Sequence, residues 1–447
     1  MKKFLKITAA IVILLLLFFA GVLKYRRYQA EQTLIPKNAI GIIKINIDEL
    51  YKTLASNMLT NPVYYFKSDF KKDTSNKPDK FNNGIQIPAS IYFYTIKGKS
   101  QIYFSRFGIE NMNDFENSLR NLMHLEITKR TEGTNIAKSK LGNVVVYYNS
   151  KSAAISLSVK AENVDSILMD ILNQKNLIKI KDSKFKYSAK SLAHLTFETA
   201  QHQGSVDFEN GEVNFSDELL TGEILPANKS LHYQFNQNNT VSFWLNANLT
   251  PKKGKIYTFM NFSIEHDSLM KYYNGHIDFE WTNSITQTDS VITYEYNDDF
   301  EKVEKVSLQK RNIPSISVNI SPKGMGLKNY LVKQGLINLD GNTVNKNAFP
   351  LYKVFMNSNQ ENLNFSTIKN RNTPIKKIES TDFLYLNADL IKLNKQLEIP
   401  LITNYFKILK RLEVKGKLMD GKKVKIDGTL ELRDRDINSL YQILKSL

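Results

Sequence analysis

Three residues have the types and spacing of a metal site. His194, Glu198 and His202 are four residues apart, so on a helix they would present two imidazoles and a carboxylate from one face, a set that suits Zn²⁺. The flanking residues 195–197 and 206–208 indicate strands instead. On a strand the same side chains also share a face, and exposure of that face to solvent is enough to explain their polarity. Because a third histidine and a metalloprotease signature are missing, the sequence predicts no metal site and keeps these residues as weak alternatives.

Other catalytic signatures are also missing from the sequence. Ser-x-x-Lys occurs about as often as chance allows in a chain rich in both residues, and no Lys-Thr-Gly partner accompanies it. The chain has no cysteine, which excludes a thiol nucleophile, a disulfide framework and a zinc–thiolate site. The sequence therefore predicts no catalytic residue and no cofactor.

The charge of +17 suggests nucleic acid as a partner, but its distribution argues against one. Six basic side chains fall in residues 1–30, which leaves +11 for the rest, spread without a block of like charges. Lysine greatly outnumbers arginine, the residue that recognises phosphate in a bidentate manner. No nucleic-acid reader motif occurs, so we expect no nucleic-acid partner.

An apolar run over residues 7–23 predicts a membrane anchor. At about 1.5 Å per residue it forms a helix of roughly 25 Å, near the short end of what crosses a bilayer core. No cleavage site with small residues at both required positions follows, and Lys24, Arg26 and Arg27 form a basic stop flank. We therefore expect an uncleaved anchor and an extracytoplasmic bulk, most simply on the periplasmic side of an inner membrane. The anchor positions are Ile7, Ile11, Leu15, Phe19 and Leu23.

Four apolar alternations in the remaining chain end in a similar polar pattern. The first, residues 40–46, leads into a helical periodicity that Asp48 is placed to cap. Asparagine tolerates turn geometry at a strand end, and a side chain two residues later can satisfy free amide groups, so these polar residues indicate structure more than four binding sites. The predicted strand-end and cap residues are Asn46, Asp48, Asn246, Asn248, Asn319, Ser321, Asn387 and Asp389.

The overall pattern predicts an α+β protein of mainly antiparallel sheet packed with helices. Strand-then-helix echoes at the ends of both parts of the chain indicate two related halves, the second enlarged. The predicted divisions are an anchor with basic flanks over 1–30, a first half over 31–176, a β-rich connection over 177–224 and a second half over 225–447. A helix over 113–125 is expected to begin at an Asn113 cap.

Several short segments resemble a bacterial family of uncharacterised envelope proteins. They are residues 35–39 (IPKNA), 106–110 (RFGIE), 114–116 (DFE), 146–151 (VYYNSK), 269–275 (LMKYYNG) and 438–440 (NSL). The resemblance implies an envelope location and brings no activity or functional residue. Members of that family typically carry a lipid-bearing cysteine or a signal, whereas this chain has no cysteine and a helix in its place.

Aromatic doublets are the remaining positive signal, since on a strand each doublet places one ring on either face of the sheet. These features predict a non-catalytic, membrane-anchored envelope protein that acts by binding or scaffolding, with an envelope protein, a lipid or a glycan as partner. The alternatives are a carrier or sensor of a hydrophobic or glycan ligand, and an envelope hydrolase with an unrecognised site. A continuous apolar groove bordered by the doublets favours the carrier, and converging carboxylates favour the hydrolase.

Overall fold

The computed structural model describes residues 18–67, 82–129, 133–222, 224–227, 230–233, 235, 238–260, 262–296, 300–369, 377–397, 407–419 and 423–446. The chain forms two compact units. Unit 1 comprises Met1–Asn210 with Asp436–Tyr441, and unit 2 comprises Gly211–Arg435 with Gln442–Leu447. The predicted connection over 177–224 is thus divided between the units after Asn210. Antiparallel sheet with helices dominates, which confirms the predicted α+β class.

Unit 1 is built on an antiparallel sheet of nine strands in the order β11-β10-β2-β3-β4-β8-β7-β6-β5, with a separate β1–β9 ribbon. Its helices are α1 (18–31), α2 (Ile47–Thr60), α3 (Pro62–Lys67), α4 (Met112–Asn117), α5 (Asp165–Leu172) and α6 (Lys186–Lys190), with a π turn at Ser118–Leu122 and a 3₁₀ turn at Ile180–Asp182. Its strands are β1 (Leu34–Pro36), β2 (Ala39–Asn46), β3 (Ser90–Ile96), β4 (Lys99–Gly108), β5 (Glu126–Lys129), β6 (Asn135–Lys138), β7 (Val144–Tyr148), β8 (Ser152–Leu157), β9 (Leu177–Lys179), β10 (Leu195–Thr199) and β11 (His202–Phe208).

Both faces of the unit 1 sheet are covered by apolar side chains. Tyr147 packs into one core cluster with Phe104 and Leu168, whereas its neighbour Tyr148 packs into a second cluster with Phe115 and Leu119. Both tyrosines are fully buried. For Tyr147 and Tyr148 this alternation confirms the predicted placement on opposite faces, and both rings belong to the core. The doublet Tyr64-Tyr65 lies on α3 instead, where the strand pattern does not apply.

The start of α4 differs from the prediction by two residues. Asn111, in extended conformation, is the cap, and its side-chain oxygen accepts hydrogen bonds from the amides of Asn113 and Asp114 at 3.0 and 3.2 Å. Asn113, the predicted cap, lies one residue inside the helix, because an equally good capping side chain precedes it.

We expect Asn111→Ala to lower the free energy of unfolding of unit 1 by about 1 kcal/mol, because two helix amides lose their acceptor. Asn113→Ala is the matched control and should change it by no more than about 0.3 kcal/mol, since only its backbone amide takes part. Urea unfolding followed by circular dichroism measures both. Equal losses from the two variants would contradict the assignment of the cap.

The first predicted strand-to-helix junction is present, but Asp48 does not cap it. Asn46 holds the cap position of α2 without a side-chain cap bond. The Asp48 carboxylate accepts hydrogen bonds from the Arg26 guanidinium of α1 at 2.8, 2.9 and 3.1 Å. The Asp48 side chain, which the sequence assigned to the helix amides, therefore binds the Arg26 guanidinium instead. This bidentate pair connects α1 to α2.

The predicted anchor falls only partly within the described residues. Ile7, Ile11 and Leu15 lie outside them, whereas Phe19 and Leu23 lie on α1 and are 61% and 42% exposed. Across the ranges given above, no helix combines the length and the hydropathy that crossing a membrane requires.

Unit 2 contains an antiparallel sheet of eleven strands in the order β12-β27-β26-β25-β15-β18-β19-β23-β22-β21-β20, with β13 beside the end of β15 and the ribbons β14–β24 and β16–β17. The helices that follow along the chain are α7 (His266–Tyr272), α8 (Gly326–Lys333), α9 (Leu390–Leu397) and α10 (Ser439–Ser446). The strands are β12 (Glu212–Leu220), β13 (Ile224–Pro226), β14 (Ser230–Tyr233), β15 (Val241–Leu249), β16 (Ile256–Phe259), β17 (Phe262–Glu265), β18 (Tyr273–Tyr296), β19 (Lys302–Pro322), β20 (Ile337–Asn338), β21 (Thr343–Val344), β22 (Phe355–Ser358), β23 (Leu363–Ser366), β24 (Lys377–Ser380), β25 (Asp382–Asp389), β26 (Leu409–Met419) and β27 (Lys423–Leu432).

The centre of this sheet buries its polar face. Cross-strand partners share a face, and the face that carries Asp278, Glu280 and Asn319 is buried. The opposite face carries Phe243, Phe279 and other apolar side chains, which are only partly buried. Antiparallel sheets ordinarily bury the apolar face, so the polar groups here need partners inside the protein.

β18 and β19 continue beyond the sheet as a two-stranded arm, residues 284–296 and 302–314, which within the described part pair with each other alone. One face of the arm carries an ion pair between Glu295 and Lys305 at 2.7 Å. The other face carries exposed apolar side chains, and Phe300, which lies between the two strands in the sequence, is also exposed. Their exposed fractions are 54% for Tyr294, 71% for Tyr296, 65% for Val306, 76% for Leu308 and 85% for Phe300.

Candidate functional site

The three weak metal candidates do not form a site. The His194 imidazole is occupied on both sides: Nδ1 accepts from the Phe208 amide at 2.9 Å, so Nε2 carries the hydrogen and donates to Thr53 Oγ1 at 2.9 Å. Glu198 accepts from the Ser188 amide at 2.8 Å, and His202 lies on the next strand, β11. Nowhere in the described ranges do three histidine or carboxylate side chains lie close enough to hold a metal ion.

The most developed site lies on unit 2, where three neighbouring strands present aligned side chains. Trp244 of β15 pairs with Tyr385 of β25, which pairs with Lys415 of β26, so the three share one face of the sheet. One step along the strands, Ser242, Asn387 and Glu413 repeat the alignment. On this face of the sheet, one row therefore carries two aromatic rings and a lysine, and the next row carries polar side chains.

Stacked rings define the aromatic part of the site. Tyr385 stacks on Trp244 with ring centroids 4.3 Å apart, and His232 of the β14–β24 ribbon stacks on Trp244 at 3.9 Å with an angle of 7° between the planes. Phe235 lies 5.6 Å from Trp244. Trp244 is buried, whereas His232, Phe235 and Tyr385 are half-buried around a cavity of about 580 Å³.

Charged groups of both signs surround the rings. Arg411 donates to Asn387 at 2.6 Å, and Lys415 forms an ion pair with Glu413 at 3.1 Å. The Tyr385 hydroxyl lies 3.4 Å from Glu413, and burial, assisted by the charge of Glu413, raises the pKa of this phenol. The lining carries no excess of one sign, so its chemistry suits a neutral polar ligand.

Two polar groups in this lining are not hydrogen-bonded. The indole N–H of Trp244, a residue only 6% exposed, donates to no atom of the described chain. One Asp382 carboxylate oxygen accepts no hydrogen bond there either, and Lys417 Nζ lies 3.8 Å from it. Leaving the indole N–H without an acceptor costs about 1 to 3 kcal/mol, whereas Lys417 partly compensates the Asp382 oxygen; both atoms are closed to solvent, so neither is offered to a ligand.

A buried polar network adjoins this site, because Trp244 also pairs with Asp278 of β18. Asp278 is fully buried, receives a hydrogen bond from Asn319 at 2.7 Å and contacts His276 Nε2 at 3.0 Å. Asn319 in turn accepts from Asn364 at 2.7 Å. The network runs across three strands and satisfies much of the polar face that the sheet buries.

The tautomer of His276 follows from its neighbours. Asp278 accepts from Nε2, so in a neutral ring Nδ1 must receive a hydrogen bond, and Asn246 lies 3.0 Å away. The Asn246 atom placed 3.0 Å from Nδ1 is the side-chain oxygen, so a neutral ring requires the amide oxygen and nitrogen of Asn246 to be exchanged, which also gives the otherwise unbonded nitrogen a partner. With both ring nitrogens engaged by protein groups, the arrangement serves to hold strands together and offers no nitrogen to a substrate.

The predicted strand-end residues have diverse positions. Asp389 caps α9, because its side chain accepts from the Lys392 amide at 2.9 Å. Asn387 lies within β25 and binds Arg411. β15 continues past Asn246 and Asn248 to Leu249, and β19 continues past Asn319 and Ser321 to Pro322, so neither strand ends where its pattern suggested. Continued pairing with the neighbouring strands overrides the preference of asparagine for turns.

Sequence reasoning did not single out Trp244 and Tyr385, although a signal was present. The segments Trp244-Leu-Asn-Ala-Asn and Tyr385-Leu-Asn-Ala-Asp are echoes of each other, and the structure pairs them as adjacent antiparallel strands. An aromatic residue at the same place in both echoes is the observation that could have located the stacked rings.

Comparison with known proteins identifies no family. No protein-family model and no curated protein matches the chain. Among solved structures, crystal form III of TP0453 aligns with a TM-score of 0.27 and 12% identity over 45% of this chain and 88% of that one. Form I aligns with a TM-score of 0.28 and 11% identity over 46% and 90%, and form IV with 0.22 and 9% over 76% and 93%. Scores this low do not define a shared fold, and neither architecture nor function is transferred from them.

Proposed function

We propose that this chain is a non-catalytic, membrane-anchored, extracytoplasmic protein of the cell envelope that binds a neutral glycan at the stacked rings of unit 2. The observation that carries the proposal is the Trp244 site: stacked rings beside a balanced set of charged and amide side chains around a cavity of about 580 Å³. Aromatic surface with a few placed polar groups is the usual composition of a small-ligand site.

The lining favours a sugar over a purely apolar ligand. A pyranose presents a face of C–H groups, which packs on aromatic rings, and a rim of hydroxyls that both donate and accept. Arg411, Glu413 and Lys415 supply partners for such a rim but would be desolvated at a cost by a lipid chain. None of the predicted aromatic doublets borders this cavity, so the apolar groove that would favour a carrier of hydrophobic ligands is not the arrangement here.

The anchor and the duplication belong to the same proposal. On α1 the side chains of Phe18, Phe19, Val22 and Leu23 are 66%, 61%, 37% and 42% exposed, as expected of the end of an apolar segment that continues into a bilayer. The strand-to-helix junctions of β2 with α2 and β25 with α9 support two related halves.

Intrinsic fluorescence tests the glycan site directly, because the chain has two tryptophans and Trp281→Phe leaves Trp244 as the single reporter. We expect chitotetraose, a neutral oligosaccharide, to change this signal saturably in the full chain held in polyoxyethylene detergent, which carries no sugar. Tyr385→Ala should weaken binding by about tenfold or more, because a stacked ring is lost.

Tyr296→Ala is the matched control, since Tyr296 is an exposed tyrosine on the arm of the same unit, and it should leave binding unchanged. The absence of a saturable signal with chitotetraose, cellotetraose and maltotetraose would refute the glycan proposal. Saturation by palmitate in their place would indicate the carrier of hydrophobic ligands instead.

A further inference from the structure

A second cavity, of about 310 Å³, lies within unit 1 between α1 and the strands β2 and β3. Lys44, from the middle of β2, lies in its wall and is only 5% exposed. Its ammonium donates one hydrogen bond, to the Ser191 carbonyl at 2.8 Å. An ammonium has three donors, so a buried lysine with a single neutral acceptor is incompletely satisfied.

The carboxylates around this cavity form ion pairs with cations other than Lys44. Asp48 pairs with Arg26 at 2.8 Å, and Glu49 pairs with Lys52 at 3.1 Å. Glu31 lies 3.7 Å from Arg27. Among the described residues, no carboxylate lies within hydrogen-bond distance of the Lys44 ammonium.

Lys24 and Arg27 of α1 line the same cavity, together with Glu31, Asp48 and Glu49, so its positive excess depends on Arg26 and Lys52, which neutralise Asp48 and Glu49 from outside the lining. Burial is the largest of the causes that lower the pKa of Lys44 to about 8; the charge of Arg27 also lowers it, whereas the charges of Glu31 and Glu49 raise it. A lysine disfavoured as a cation in a cavity with other cations is stabilised by an anion that enters it.

We infer that this cavity binds a phosphate group, held by Lys44, Lys24 and Arg27, and that the phosphate is that of a phospholipid headgroup. The assignment to a lipid rests on the proposed anchor: Leu23, the last residue of the predicted membrane segment, also lines the cavity, so the anchor brings the cavity to the level of the headgroups. The volume admits a glycerophosphate group and leaves acyl chains outside.

Calorimetry on the full chain in polyoxyethylene detergent tests the inference with three probes: dihexanoylphosphatidylglycerol, dihexanoylphosphatidylcholine and inorganic phosphate. We expect the anionic lipid to bind, inorganic phosphate to compete with it more weakly, and the choline lipid to bind at least about fivefold more weakly, because its ammonium meets Lys24 and Arg27. Short-chain lipids dissolve without a bilayer, so binding does not require that the anchor inserts.

Lys44→Met should weaken binding of the anionic lipid by about tenfold or more, whereas Lys44→Arg, which keeps the charge, should retain most of it. Lys97→Met, at an exposed lysine in the β3–β4 turn, is the matched control and should bind as the parent does. Lys44→Met should also leave chitotetraose binding at unit 2 unchanged, which separates this inference from the glycan proposal.

Inorganic phosphate that binds as tightly as the lipid would support the phosphate site and overturn its assignment to a headgroup. Lack of binding by both anions, or unchanged binding in Lys44→Met, would overturn the site itself. Should Lys44→Met fail to fold, Arg27→Met, at an exposed position of α1, carries the same expectation of weakened binding.

Discussion

Asp278→Ala is expected to lower the free energy of unfolding of unit 2 by about 3 to 5 kcal/mol. The carboxylate is fully buried and holds two neighbours, His276 and Asn319, at 3.0 and 2.7 Å. Its removal leaves both donors unpaired inside the sheet, at about 1 to 3 kcal/mol each, and adds a small void. Urea unfolding followed by tryptophan fluorescence reports on this unit, because Trp244 and Trp281 both belong to it.

Asp278→Asn separates the charge from the hydrogen-bond geometry. The amide oxygen can still accept from Asn319, and the amide nitrogen can donate to His276 if the ring changes tautomer and Nδ1 donates to Asn246. We expect a loss of about 1 kcal/mol. Asp427→Ala, at a carboxylate 47% exposed and paired with Lys425, should cost less than about 0.5 kcal/mol. A small loss for Asp278→Ala as well would show that the network does not support the sheet.

The second large effect is a dependence of stability on pH that Lys44 imposes on unit 1. The pKa of this lysine is about 8 in the folded protein against 10.5 for an ordinary lysine. Between these values the unfolded chain binds more protons, so stability rises with pH through this window and the gain is absent below about pH 8. The full difference amounts to about 3 kcal/mol.

Because tyrosines and other lysines also titrate in this range, the measured quantity is the difference in unfolding free energy between the parent and Lys44→Met. We expect this difference to shift in favour of the parent by about 3 kcal/mol from pH 7 to pH 10.5 in low-salt buffer without phosphate. Lys97→Met should show no such shift. A constant difference across the range would mean that Lys44 is solvated or paired in the folded state.

Local structure was largely predictable from the sequence. Alternation over residues 40–46 located β2, helical spacing located α2, and the segment expected to be helical over 113–125 contains α4 and the π turn that follows it. The anchor was predicted from residues that mostly lie outside the described part of the chain, and it remains a prediction.

The candidate site was harder to predict because alternation states which residues share a face but not which face is buried. Along β18 and β19 the polar residues Asp278, Glu280 and Asn319 alternate with apolar ones, and the sheet buries the polar set. Trp244 and Tyr385 are 141 positions apart in the chain, and only strand pairing brings their rings together. Chemistry assembled across strands in this way leaves no contiguous motif.

The outer part of the two-stranded arm extends beyond the rest of unit 2. The base of the arm is held to the rest of unit 2, where Gln287 donates to the Lys353 carbonyl at 2.9 Å and Asp289 pairs with Lys346 at 3.2 Å. The paired positions from Ser290 to Tyr296, at about 3.3 Å each, extend roughly 20 Å beyond these contacts. A ribbon of two strands without a covering layer is marginally stable and bends easily. A contact made on this outer part of the arm would thus act as a compliant tether, which holds a partner while transmitting little force or orientation to the sheet.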